Sequence, residues 1–180
     1  MVFQKGQLLV REVRTADADH LVRWLSDERV LFFYEGRDQP HDLELVQERY
    51  LAEQDDGITR CIVEWEGEPI GLIRFYPLAE DGFHIRGYPS DLSVWETDHF
   101  IGEPGYWNRG IGTELIRGIV EYLTESKGAE IVAAVPQVRN TRAIRCYEKC
   151  GFRRVKMLPR HQKHEGVMQN CWLMEYRHLD

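Results

Sequence analysis

The sequence predicts a mixed α/β (α+β) domain in which helices cover a mixed sheet, with βαβ character in the middle and antiparallel strands at both ends. Three observations predict it. The run "TRCIVEWEGEPIGLIRFYPL" reads as a hairpin, two β-rich segments joined at Glu66-Gly67-Glu68. A strand-like "LSVWETDHFI", a glycine-rich turn, a helix-like "TELIRGIVEYL" and a short apolar "EIVAAV" follow one another as β, α, β. Two further β-rich runs, "FRRVKML" and "NCWLMEYR", close the chain.

The elements follow in order. "QLLVREV" alternates as a strand with Leu8, Val10 and Val13 inward. "TADADHLVRWLSDERV" reads as one helix capped by Thr15, with acids in its first turn and Leu21, Trp24 and Leu25 on its apolar face. Trp24, Phe32 and Phe33 are read as core. After the irregular "FFYEGRDQP", Asp42 caps a second helix, "LELVQERYLAEQ". Beyond the hairpin, a polar stretch with Gly82, Gly87 and Pro89 is long for a connection, which marks it as a functional candidate. The helix after the glycine-rich turn carries Ile111, Leu115, Ile116, Ile119, Val120 and Leu123 on one side and stops at Gly128. "NTRAIRCYEKCGF" is a last helix, ended by Gly151.

Length and composition narrow the function. The 180 residues suit one domain over 1–180, large enough to bury a core, and a hydrophobic fraction of 43% fits a globule rather than a disordered chain. Lys and Arg number 23 against 30 Asp and Glu, a net charge of −7. That disfavours nucleic acid and anionic membranes as partners and suits a cationic one. The N-terminus lacks a secretory apolar core, and no run approaches the ~18 apolar residues of a membrane span, so a cytoplasmic location is expected. Cys61, Cys146, Cys150 and Cys171 show no zinc-ligand pairing and no disulfide frame. Cys146 and Cys150, four apart on a helix, are read as packing. His161, His164 and Glu165 form H-x-x-H-E rather than the zincin H-E-x-x-H, in an expected loop before the last strand, so no metal is expected.

The connection "HFIGEPGYWNRGIGTELI" holds Gly102, Gly105, Gly110 and Gly112. Such turns between a strand and a helix can cradle phosphates with bare backbone N–H groups. A Walker loop is excluded because no lysine follows these glycines, and a dinucleotide fingerprint because Leu115 stands at its third glycine. What remains is R-G-I-G-T at a helix N-terminus, where Gly110 and Gly112 let the backbone approach a pyrophosphate. A tight turn entering a helix would use the same residues. About thirty residues on, Asn140 can cap its helix while offering an amide, and Ala143 and Tyr147 share one helix face.

The two elements in this order resemble the GNAT superfamily of N-acetyltransferases. The resemblance implies a mostly antiparallel sheet with a parallel, splayed pair, helices on both faces, and acetyl-CoA as cosubstrate. By position it implies that Trp107, Asn108, Arg109, Gly110, Ile111, Gly112 and Thr113 form the pyrophosphate turn, although Trp107 stands where the superfamily usually has Gln or Arg. It assigns Asn140 and Ala143 to the pantetheine arm, Tyr147 to the thioester sulfur, and the backbone of Phe100 and Ile101 to the thioester carbonyl. A narrower resemblance spans almost the whole chain. "WLSDERVLFFYEGRD", "DHFIGEPGYWNRGIGT", "RAIRCYEKCGF" and "HEG…CWLMEYR" are similar to aminoglycoside 6'-N-acetyltransferases, especially the acetyltransferase half of the bifunctional Gram-positive resistance enzymes. This implies acetyl transfer to the 6'-amine of a polycationic aminoglycoside, with Asp98 as the catalytic aspartate. The chain departs from many relatives at Val135-Pro136, where they carry Asp-Pro.

Aminolysis of a thioester needs an unprotonated amine, a polarised carbonyl and a donor for the leaving thiolate. Asp98 is placed to take the amine's proton, and Tyr147 to donate towards the sulfur. Direct transfer in a ternary complex needs no enzyme nucleophile, which leaves the cysteines as bystanders. Tyr34, Glu35, Asp91, Glu96, Asp98 and Glu103 are the candidate contacts to a polycation. Two rivals stand beside this reading: a GNAT enzyme for another cationic amine (a siderophore precursor or polyamine), and a non-catalytic acyl-CoA sensor or drug-sequestering protein. The oligomeric state, monomer or homodimer, stays open.

Overall fold

The computed structural model describes residues 1–178. Eight strands form one sheet: β1 (Phe3–Lys5), β2 (Leu8–Glu12), β3 (Thr59–Trp65), β4 (Glu68–Pro77), β5 (Val94–Ile101), β6 (Ile131–Ala134), β7 (Arg153–His164) and β8 (Val167–Arg177), in the order β1-β2-β3-β4-β5-β6-β8-β7. Every pairing is antiparallel except β5 with β6. The helices are α1 (Ala18–Trp24), α2 (Glu28–Leu31), α3 (Leu43–Val46, continued as a π turn to Leu51), α4 (Glu80–Arg86), α5 (Ile111–Lys127) and α6 (Thr141–Lys149). None of the helices among the described residues is long and apolar enough to cross a membrane.

The period of two along β3 and β4 builds the two layers. Cys61, Val63, Ile73 and Phe75 turn to one face, where Ile111, Leu115, Ile116 and Ile119 of α5 and Ile144 and Tyr147 of α6 cover them. Ile62 and Leu72, with Phe100, turn to the other, against Leu21, Trp24 and Leu25 of α1 and its loop, Val30 and Leu31 of α2, and Val46. The six apolar residues of the α5 stripe are all buried, as the sequence predicts. The hairpin forms at its predicted place, with Glu66 (φ +53°) and Gly67 (φ +84°) making the two-residue turn.

Five local expectations need correction. Thr15 does not cap the first helix. Asp17 accepts a hydrogen bond from the Arg14 backbone N–H and a bidentate pair from Arg11, and the α-helix begins after it at Ala18. That helix also does not run through to Val30: it ends at Trp24, and Asp27 caps the separate α2 by accepting from Arg29 N–H. The polar stretch after the hairpin carries α4, closed by Gly87 in the left-handed region. His161 and His164 lie on β7 and not in a loop, because β7 runs on to His164 as the long arm of a hairpin with β8. Phe32 is 37% exposed and Phe33 lines a cavity, so only Trp24 of that aromatic trio is core.

The feature that positions the site is the parallel pair. β5 and β6 are in register only over Val94↔Ile131, Trp95↔Val132 and Glu96↔Ala133, whereas β5 stays paired with β4 to Ile101. Past Glu96 the two strands part and open the sheet.

Candidate active site

A cavity of about 1030 Å³ fills this opening. Because successive residues of β5 face opposite sides of the sheet, the strand supplies both halves of the cavity. Asp98 turns to the side of α1 to α3, and His99 to the side of α6.

On the first side, the Asp98 carboxylate accepts two hydrogen bonds from Arg74, from Nε at 2.9 Å and Nη2 at 3.0 Å, and a third from the Tyr34 hydroxyl at 3.0 Å. Arg74 sits directly across from Asp98 in the β4–β5 register. Burial raises the Tyr34 pKa well above the usual phenol range, with the charge of Asp98 adding to it, so that hydroxyl remains a donor. Arg74 was missed in the sequence. Its signal is a single charged residue inside the otherwise apolar run "GLIRF".

On the second side, the Tyr147 hydroxyl lies 3.4 Å from His99 Nδ1. Burial pushes the His99 pKa down to about 4, so the imidazole is neutral at pH 7. Burial, and then the charge of Asp98, raises the Tyr147 pKa well above 10. Two neutral, oriented groups therefore face this side.

The glycine-rich turn forms the mouth. Asn108 (φ +58°) and Gly110 (φ +80°) occupy the left-handed region and bring the chain round into α5. A Cβ on Gly110 would meet nothing within 4 Å, and one on Gly112 only Cys146 Sγ at 3.7 Å, so the space before the helix N-terminus is open. Gly110, Ile111, Gly112, Thr113 and Asn108 all line the cavity. Asn140 caps α6, its Oδ1 accepting from Ala143 N–H at 3.3 Å, and both line the cavity opposite the turn. Arg142, Arg145 and Lys149 add cations along the same wall. Trp107 donates its indole N–H to the Ile101 carbonyl at 2.7 Å and lies under the Arg142 guanidinium, which anchors the turn to β5. Phe100 and Ile101 border the cavity where β5 has lost β6. The open cradle, the helix N-terminus and the neighbouring cations fit a pyrophosphate. Arg109 does not line the cavity; its guanidinium covers the Tyr106 ring.

The candidate acceptor contacts divide. Tyr34, Glu35, Glu96 and Asp98 line the cavity. Asp91 is exposed and outside it. Glu103 is also outside, because its carboxylate accepts the Trp24 indole N–H at 2.8 Å and pairs with Arg23. Beside it, a Cβ on Gly102 would sit 2.2 Å from Trp24 Cγ, so the "GEP" of "DHFIGEP" is a lock between β5 and α1. The three cavity carboxylates are all paired internally. Glu35 accepts from the Tyr50 hydroxyl and pairs with Arg49 at 3.3 Å, and Glu96 is buried between Arg86 and the Tyr76 hydroxyl. A bulge in β7 between Leu158 and Gln162, with Arg160 at φ +48°, brings His161, Gln162 and Lys163 to the cavity as well. The sequence signal for that bulge is Pro159, which has no N–H to give to the ladder. His164 and Glu165 lie 3.4 Å apart, and no group of three or more potential metal ligands exists among the described residues.

A sheet split at one parallel pair, an open cradle at the N-terminus of the following helix, and a carboxylate and a tyrosine on opposite faces of the split strand fit an acyl-CoA-dependent transferase. The chain belongs to the GNAT acetyltransferase domain family, whose model matches residues 14–159, and it is an acetyl-CoA-dependent N-acetyltransferase. It is 31% identical over 140 residues, 77% of this chain and 70% of the relative, to the aminoglycoside N(6')-acetyltransferase type 1 of Klebsiella pneumoniae. Its fold matches the crystal structure of the aminoglycoside acetyltransferase AAC(6')-Ib in complex with coenzyme A and kanamycin, with a TM-score of 0.75 and 25% identity over 94% of each chain. A spermidine N-acetyltransferase from Vibrio cholerae, solved with coenzyme A and spermine, shares the fold at a TM-score of 0.76 and 19% identity over 95% of each chain.

Proposed function

We propose that this chain, acting as one domain, transfers an acetyl group from acetyl-CoA directly to the 6'-amine of an aminoglycoside. The observation that carries the reading is the arrangement at the split strand, with Asp98 on the acceptor side of β5 and Tyr147 on the turn side. The relation to aminoglycoside acetyltransferases supports the choice of acceptor.

The turn at Gly110 to Thr113 holds the pyrophosphate on backbone N–H groups, with Arg142, Arg145 and Lys149 near the phosphates and the Asn140 amide on the pantetheine arm. Asp98 binds the 6'-ammonium and takes its proton directly or through water. Arg74 and Tyr34 hold the carboxylate in one orientation while it does so. Tyr147 keeps its proton because of burial, so it serves the leaving sulfur as a hydrogen-bond donor more readily than as a full acid. Neutral His99 fixes the orientation of that hydroxyl.

One observation favours a second reading, a GNAT enzyme for a smaller amine such as a polyamine. Every carboxylate lining the acceptor side already has an internal partner, and Val135 of the cavity wall offers no charge. A thiol-release assay with acetyl-CoA against kanamycin, tobramycin, a 6'-hydroxyl analogue, spermidine and a hydroxylated lysine decides between them. Turnover of the 6'-amino drugs and not of the 6'-hydroxyl analogue is expected. Turnover of spermidine alone would replace the acceptor while leaving the acetyl-CoA site standing, and drug binding without thiol release would identify a sequestering protein.

A further inference from the structure

The loop of residues 32–39 carries Tyr34 and Glu35 to the acceptor side of the cavity, yet it belongs to no strand and begins where α2 ends. Glu35 (φ +67°) and Gly36 (φ +109°) stand in the left-handed region, a backbone course that neighbouring structure must hold in place. Arg139 reaches this loop from the connection between β6 and α6. Its Nη2 donates to the Phe32 carbonyl at 3.2 Å, and its guanidinium covers the Phe32 and Phe33 rings at 5.0 and 5.2 Å. Its Nε donates to Gln137 Oε1 at 2.7 Å. Gln137 is buried, and the backbone beside it is pinned to β8. The Trp172 N–H donates to the Pro136 carbonyl and the Val138 N–H to the Asn170 carbonyl, each at 2.9 Å. Arg139 is thus a strut from the sheet to the loop. Arg37 also covers Phe32 at 5.0 Å and pairs with Glu165, but that ion pair is part-exposed and contributes less.

We propose that Arg139 is a positioning residue for the transfer: it holds the loop so that Tyr34 keeps Asp98 aligned with the acceptor amine. The role of Asp98 rests on the function proposed above. The Tyr34 ring meets Phe100 of β5 edge-on, with centroids 4.6 Å apart, and its hydroxyl reaches Asp98 Oδ1 at 3.0 Å. Arg74 Nε converges on the same oxygen, whereas Oδ2 accepts only from Arg74 Nη2. Oδ2 is therefore the oxygen with room for an incoming ammonium, and Tyr34 is what turns it that way. Without the strut the loop gains freedom, Tyr34 leaves Asp98 for part of the time, and the carboxylate is left to Arg74 alone.

The two physical effects of Arg139 have opposite signs, which makes them separable. As a cation beside a site for a cationic acceptor it repels, so on charge alone its removal would raise the affinity for the acceptor. As a strut it orders the loop, so its removal lowers kcat/KM. A lysine keeps the charge, but it cannot donate to Gln137 and the Phe32 carbonyl together while lying over the two rings.

The test measures acceptor and acetyl-CoA kinetics of the full chain by thiol release, with kanamycin as acceptor. Arg139→Met, Tyr34→Phe and the double variant form a cycle, with Arg139→Lys and Phe32→Leu beside them. Arg139→Met is expected to lower kcat/KM for the acceptor roughly fivefold or more, with the KM for acetyl-CoA within about twofold of wild type. In the Tyr34→Phe background the same change should have little further effect, because the hydroxyl it positions is already gone. Arg139→Lys should resemble Arg139→Met, and Phe32→Leu should give the same split between the two substrates. Additive losses in the double variant would overturn the proposal. So would an unchanged or raised acceptor kcat/KM in Arg139→Met, or an effect confined to the KM for acetyl-CoA through the neighbouring Asn140. If wild type uses spermidine and not the drugs, the cycle is read on spermidine, since the role concerns Asp98 and not the rings of the acceptor. A wild type that acetylates no amine would remove the proposed transfer and this role together, whereas additive variants in an active enzyme would remove this role alone.

Discussion

At the residue scale, the proposed acceptor chemistry would rest on a carboxylate, Asp98, that is held by Arg74 and Tyr34 rather than free. Asp98→Asn keeps the shape but removes the proton acceptor and the charge that attracts the amine. The expected loss in kcat/KM for the acceptor is ~10²-fold or more, with the KM for acetyl-CoA nearly unchanged. Arg74 would then lose its anion, so urea denaturation is run beside the kinetics, and full activity in a folded variant would remove Asp98 from the reaction. Tyr147→Phe removes one hydroxyl from a buried ring whose packing against Phe152 stays. Given its proposed role as a hydrogen-bond donor to the leaving sulfur, loss of that hydroxyl should lower kcat by roughly tenfold or more, corresponding to about 1.4 kcal/mol, where chemistry limits the rate. A kcat within about twofold of wild type would leave Tyr147 as a packing residue.

At the element scale, the glycine-rich connection divides into a lock and a cradle, and the two halves respond differently to substitution. Gly102→Ala drives a methyl group into Trp24 and should destabilise the fold by ~1–3 kcal/mol, displacing α1 and raising the acceptor KM in consequence. Gly112→Val finds only the Cys146 sulfur near its Cβ, at ordinary contact distance, so the fold should tolerate it. On the proposed placement of the pyrophosphate its bulk would occupy that space, and the KM for acetyl-CoA should rise at least ~10-fold with stability near wild type. A folded Gly112→Val with wild-type acetyl-CoA kinetics would remove the turn from the cosubstrate site. Gly110 is a poorer probe because its φ of +80° makes any side chain there strained by itself.

At the scale of the whole molecule, the half-buried, neutral His99 ties stability to pH. Its folded pKa of about 4 lies below the unfolded value near 6.5, so between those values the unfolded chain binds more protons than the folded one. His99 therefore destabilises the fold progressively as pH falls from about 6.5 to 4, by up to about 3 kcal/mol, and adds no further loss below that. His99→Gln should flatten this part of the stability curve, as measured by urea denaturation across pH 4 to 7 in parallel with wild type. Curves of equal slope would show that the imidazole is protonated in the folded state too.

The sequence by itself determined the central hairpin, the β, α, β order in the middle of the chain and the apolar stripe of α5. Alternation along β3 and β4, the apolar stripe of α5, and the order of strand, glycine turn, helix, asparagine and tyrosine are local patterns, legible because each depends on a period of two or 3.6 or on a backbone angle that few residues adopt. Asp98, Tyr147, Asn140 and the turn become candidates through the resemblance to the GNAT superfamily and to the aminoglycoside 6'-N-acetyltransferases that this order of residues carries. What required the tertiary structure was which charges meet. Glu103 was indistinguishable from an acceptor contact until Trp24 and Arg23 were seen to occupy it, and Asp91 until it was found outside the cavity. Arg74 reaches Asp98 only through the β4–β5 register, His99 reaches Tyr147 only because α6 packs over the split sheet, and Lys163 enters the cavity only through a bulge. A charge in sequence has no partner until the chain is folded, and ion pairing depends on distances of a few ångströms that no local period encodes.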